Sequence, residues 1–157
     1  MKKILIVLGL IVMYLFTIGG CKVETTKSLG LSAKDAVFAE VNEAGKLVPV
    51  TDSVFERGDK IALVMMEVKT FKLGEDGKHW MDMDMEVTGP DGEVVLSGEG
   101  IFGEKGHIVL QNGIAKNPYG TFPSTLDNEP GEYRIKVTIK DRVGGGSVSK
   151  SKALTLE

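Results

Sequence analysis

The sequence predicts an all-β chain: two antiparallel sheets packed as a sandwich of seven to nine short strands, with no helix after the first twenty residues. Three observations predict it. In residues 130–141, Tyr133, Ile135, Val137 and Ile139 share one parity, and Arg134, Lys136, Thr138 and Lys140 share the other. That period of two belongs to a strand with one dry face and one wet face. Turn signals recur at short intervals, among them Asp76-Gly77, Gly89-Pro90-Asp91-Gly92, Pro130-Gly131 and Gly144-Gly145-Gly146. Twenty glycines and five prolines in 157 residues match a turn-rich β protein.

Taken in order, Val37, Ala39 and Val41 alternate in a first strand, turned by Asn42-Glu43-Ala44-Gly45. Residues 47–50 form a small second strand, weakened by Pro49. Residues 61–68 are apolar at nearly every position, the mark of a central strand covered on both faces. A buried helix competes there, but the flanking glycine and the turns that follow favour a strand. Asp76-Gly77 tolerates the positive φ of a hairpin turn and leads into a strand over 79–87. Here Met81, Met83, Met85 and Val87 face one way, and Trp80, Asp82, Asp84 and Glu86 the other. Short strands follow over 93–97 and 107–110, with a glycine-rich irregular stretch at 98–106 between them. Residues 119–126 cross back over the sheet. Pro130-Gly131 opens the long alternating strand, and the three glycines let the chain reverse into a last one. In that last strand Val148, Leu154 and Leu156 share parity with Lys150 and Lys152, so a bulge is expected between them.

This succession of strands and turns resembles an immunoglobulin-like β-sandwich. The approach through Pro130-Gly131-Glu132-Tyr133 is similar to strand F of such domains, with Tyr133 where a tyrosine corner would stand. Ile135 occupies the position that antibody domains give to cysteine, so the resemblance is to the broader class. It covers residues 37–157 and implies a fold, not an activity.

Met1-Lys2-Lys3, the apolar run 4–16 and the small residues ahead of Cys21 have the layout of a secretory signal peptide. The run is short for a membrane span, which needs about 20 residues. Ile18-Gly19-Gly20-Cys21 resembles the lipobox of prokaryotic lipoproteins. That resemblance implies cleavage before Cys21 and lipid on its sulfur, with the protein held in the cell envelope by its acyl chains and facing the periplasm or the exterior. The expected organisation is a signal peptide over 1–20, a lipidated cysteine and flexible tether over 21–32, and the sandwich over 33–157. Lipidation consumes the only cysteine, so no disulfide is expected.

The net charge of −3 becomes more negative once the two leading lysines are removed, and no basic cluster exists. Nucleic acid, which needs concentrated positive charge, is therefore not an expected partner. Met81, Met83 and Met85 with His79 are the sharpest candidate for chemistry, because thioether and imidazole both suit Cu(I). His79-Trp80-Met81 resembles the His-x-Met element of periplasmic copper chaperones, though the partner residues of that motif are absent at comparable spacing. Ordinary core packing accounts for the same alternation. Asp82, Asp84 and Glu86 could contribute oxygens to Ca²⁺ only if Asp76 or Asp91 joined them, and a solvated acidic face is the simpler reading. Trp80, Tyr119 and Phe122 are candidates for an aromatic platform against a glycan or a partner protein.

Gly98-Glu99-Gly100-Ile101-Phe102-Gly103 matches a dinucleotide-binding pattern, but the glycines after it oppose the helix the pattern requires, so it reads as a loop. No nucleophile elbow is present, and only two histidines exist. The expectation is a non-catalytic, lipid-anchored binding or structural module without a cofactor, its ligand an envelope protein or a surface polymer such as a glycan. A periplasmic Cu(I) carrier built on the methionine strand is the alternative.

Overall fold

The computed structural model describes residues 30–157; the expected signal peptide, Cys21 and most of the expected tether lie outside the described residues. Ten strands are arranged in two sheets. One has the order β2-β1-β4-β8, built from β1 (Asp35–Val41), β2 (Leu47–Pro49), β4 (Lys60–Met66) and β8 (Tyr119–Pro123). The other has the order β3-β10-β9-β5-β6, built from β3 (Val54–Phe55), β5 (His79–Thr88), β6 (Val94–Gly98), β9 (Gly131–Asp141) and β10 (Ser147–Leu156). A further two-residue strand, β7 (His107–Ile108), pairs with β5. The count exceeds the expected seven to nine through the two-residue strand β3, which no periodicity could reveal, while the short strand expected over 107–110 is β7. All pairings are antiparallel except that of β3 with β10. The all-β sandwich expected from the pattern is the observed architecture.

β9 sits between β5 and β10 and supplies the floor of the core. Tyr133, Ile135, Val137 and Ile139 are buried, while Arg134 and Lys136 are exposed. The Tyr133 hydroxyl donates to the carbonyl of Glu129, four residues upstream, at 2.8 Å. The closing corner expected of this tyrosine is therefore formed. Its ring lies 5.7 Å from that of Phe122, and burial pushes the phenol's pKa up.

β4 is apolar on both faces because it is central in its own sheet. Ile61, Leu63 and Met65 enter the main core, and Ala62 and Val64 join Ala39 in a small cluster on the outside. Glu67 at φ 48° ends the strand, so Val68 makes only an isolated bridge to Ala115. At the front of the domain the chain enters the core at Leu31, and Ser32 exchanges backbone hydrogen bonds with Lys69. Core packing thus includes Leu31, two residues ahead of the expected start of the sandwich.

One expectation fails in β10. Its pairing with β9 runs unbroken from Ser147 opposite Lys140 to Leu156 opposite Gly131, without a bulge. Lys150 and Lys152 therefore lie on the inner parity with Val148 and Leu154. They are accommodated because β3 covers β10 only at Thr155 and Leu156, leaving an open sheet edge beside the lysines. There the stems run along apolar surface and the heads reach water, with the Lys152 ammonium 5.2 Å from the centre of the Phe38 ring. The irregularity falls instead between Val87 and Thr88, where β5 meets β6.

Candidate functional site

β5 organises the site, and its two faces do different work. Met81, Met83 and Met85 turn inward and are buried. They line a cleft of about 700 Å³ between the six-stranded sheet and β8. The sandwich is open on this side because β6 ends one sheet and β8 ends the other, so neither edge strand has a further partner. Leu96 of β6 and Ile108 of β7 line the cleft together with Ile101 and Phe102 of the connecting loop. Ile101 is 47% exposed and Tyr119 of β8 is 40% exposed, so apolar surface remains open around the mouth. Gly120 makes room in the wall: a Cβ there would stand 2.6 Å from the Met85 sulfur.

The outward face of β5 holds the loop that walls the cleft. Asp82, only 2% exposed, accepts from the backbone N–H of Met83 at 2.9 Å and of Phe102 at 3.2 Å. Its second oxygen accepts from Nε and Nη2 of Arg142 at 3.1 and 2.7 Å. Burial works against this charge, but Arg142 and the two backbone donors outweigh it and hold the Asp82 pKa below the usual carboxylate value. Asp84 accepts from the N–H of Gly100 at 3.0 Å and pairs with Lys140. Between them, Ile101 donates its N–H to the Met83 carbonyl at 2.8 Å. Two carboxylates thus stand in for part of a strand partner along the β5 edge, and the loop they hold carries Ile101 and Phe102.

This arrangement revises the reading of the acidic face. Asp82 is not solvated, and Asp82 and Asp84 spend their oxygens on the loop and its flanking cations. Only Glu86 of the three is fully exposed. The expected loop at 98–103 is a loop, and the helix after it is a short 3-10 turn, Gly103–Gly106.

The copper candidates separate as well. His79 is buried, and its Nδ1 accepts from the N–H of Leu110 at 3.1 Å. That bond places the ring proton on Nε2 in the neutral form. His79 does not line the cleft, whereas Met81, Met83 and Met85 do. Alternate residues on one strand are about 6.6 Å apart, so three such thioethers reach a common point only by bending toward it.

The aromatic platform does not form. Phe122 is 3% exposed and packs inside against Tyr133. Trp80 lies on the outer face of the six-stranded sheet, stacked on His107 with centroids 5.3 Å apart. His107 in turn reaches Asp76 at 2.8 Å. Tyr119 alone belongs to the cleft. The cleft's other walls, Leu96, Ile101, Phe102 and Lys116, were not singled out by pattern because they sit in short or irregular segments. The available signal was an apolar pair, Ile101-Phe102, stranded inside a glycine-rich loop.

No protein-family model matches the chain, and no curated protein does. Among solved structures, the chain is similar to one described as the crystal structure of the C-terminal domain of wzt. The TM-score is 0.58 at 13% sequence identity, over 88% of this chain and 80% of that one. At that identity the likeness speaks for the fold alone, and it agrees with the β-sandwich.

Proposed function

We propose that the chain is a non-catalytic binding module, carried on a lipid at Cys21 and facing the periplasm or the exterior, which takes an apolar group of its ligand into the methionine-lined cleft. The observation that carries this reading is the cleft itself: an apolar hollow between two unpaired sheet edges, rimmed by half-exposed Leu96, Ile101 and Phe102. Contiguous exposed apolar surface is costly in water and marks binding surfaces. Concave, mostly apolar sites of this size are typical for ligands. The ligand is an envelope component, a protein or a substituted surface polymer, that presents such a group.

The test places a photoreactive side chain at Ile101, in the mouth, and separately at Val54, exposed on β3, in the full chain in its own membranes. The reading predicts a discrete cross-linked species from position 101 and none from 54. Equal products from both positions, or none from either, would contradict it.

A second reading, the Cu(I) carrier, is favoured by one observation: the three thioethers line a hollow that opens to the outside. Against it stands the hydrogen bond that already occupies His79 Nδ1. Replacing Met83 and Met85 by leucine keeps volume and apolarity. If the chain carries copper, the double variant loses cuprous-ion binding; if the cleft serves apolar groups, the cross-link at 101 survives unchanged.

A further inference from the structure

We propose that the cleft, together with the hollow beside it, binds a single aliphatic chain that ends in an anionic head group, a ligand of the fatty-acid kind. This deepens the proposed function and rests on it. Lys116 is the single charged residue lining the cleft. It also lines a neighbouring hollow of about 410 Å³, whose other walls are Gln111, Asn112 and Ile114. Chemistry therefore changes along one path: thioethers and alkyl groups, then an ammonium, then two side-chain amides.

Lys116 is exposed, and its ammonium makes no ion pair or hydrogen bond with the described residues. No carboxylate lines either hollow, so an anion meets a free cation without repulsion and a cation meets no counter-charge. The carboxylates around the loop open on an adjoining hollow lined by Asp84, Glu86 and Glu99 rather than on the cleft, and Asp82 and Asp84 are paired with Arg142 and Lys140. The lining also suits an aliphatic chain. Unbranched, flexible methionine side chains adjust to a narrow guest of variable course. Alkyl groups of Leu96, Ile101, Ile108 and Leu110 continue the apolar wall beside the polar side chains of Ser97, Asn117, Tyr119 and Thr121.

The experiment is calorimetry with dodecanoate and dodecylammonium, both below their micelle concentrations. It uses the chain from Lys22 onward, because the described residues carry both sheets and the main core. A cooperative melt of that chain precedes the titrations. The expected result is one dodecanoate per chain, with dodecylammonium bound about five- to tenfold more weakly, the scale of an exposed charge contact made and reversed. Lys116→Glu, on an exposed side chain, removes or inverts that preference without altering the melt. Ile101→Glu, at the mouth, weakens dodecanoate by a similar factor. Equal affinity for the two head groups, several ligands per chain, a preference unmoved in Lys116→Glu, or no binding at all would each overturn the inference. If those outcomes occur while the cross-link at position 101 persists, the cleft still serves a ligand and only its assigned chemistry falls. If the cross-link fails too, the reading of the cleft falls with it.

Discussion

Val137 has none of its surface exposed and lies on the inner face of β9, while Lys136, one residue earlier, points to water. Val137→Asp sets a carboxylate among apolar side chains, where it neutralises or opens the fold. The cost should be about 3–5 kcal/mol, a large part of the roughly 5–15 kcal/mol that stabilises a domain of this size. Lys136→Asp should cost about 0.5 kcal/mol. Melting both variants side by side checks the register, since a one-residue slip exchanges the two faces. This contrast was legible in the sequence because parity alone decides it. Asp82 was not, because parity put it on the wet face. What buries it is a loop returning from residues 98–103 along the β5 edge, a contact no local pattern encodes. Its pKa is held low in the folded state, so its contribution to stability is present above the unfolded carboxylate value of about 3.9 and fades as pH falls through the lower folded one. The Tm difference between the parent chain and Asp82→Asn should therefore be constant near neutral pH and narrow below about pH 4. A difference that persists undiminished into stronger acid would mean the charge is not what Asp82 contributes.

At the scale of elements, β10 shows what alternation can and cannot say. Lys150 and Lys152 broke the apolar parity, and an inserted residue would have restored it. The structure keeps the parity and uses the open edge instead, because a lysine stem can lie along apolar surface while its head reaches water. Edge position is a property of the whole sheet, so it cannot be read from the strand's own residues. Lys152→Glu takes the ammonium from above the Phe38 ring and should cost about 0.5–1 kcal/mol, the scale of an exposed cation–π contact. Lys150→Leu, on the same parity, should fold normally and hold or gain stability. If a bulge were present after all, leucine there would face solvent on the other side and add exposed apolar surface without gain. The methionine strand was legible as a half-buried strand, and Met81, Met83 and Met85 are buried on its inward face. That this packing stops short on the β8 side, leaving a cleft, depends on how far apart the two edge strands stand.

At the scale of the molecule, one sandwich carries three separable features: the expected anchor, the shared core and the cleft. The expected anchor rests on a local motif, Ile18-Gly19-Gly20-Cys21, and so needs no fold to be read. Cys21→Ser should abolish metabolic labelling with a fatty acid and leave the precursor uncut, or release the domain; labelling that persists in this variant would end the lipoprotein reading. The cleft is the opposite case, assembled from β5, β6, β8 and two loops far apart in sequence. The central claim is that the methionine face is a hollow that admits apolar guests and not a sealed core. Methionine-methyl NMR under xenon pressure tests it most directly, since xenon enters apolar space without needing any particular ligand chemistry. Saturable shifts are expected at the methyls of Met81, Met83 and Met85, with Met66, on the far face of β4, unmoved. Methyl signals of β5 that stay fixed while the domain remains folded would show a filled core, and the binding site would have to lie elsewhere.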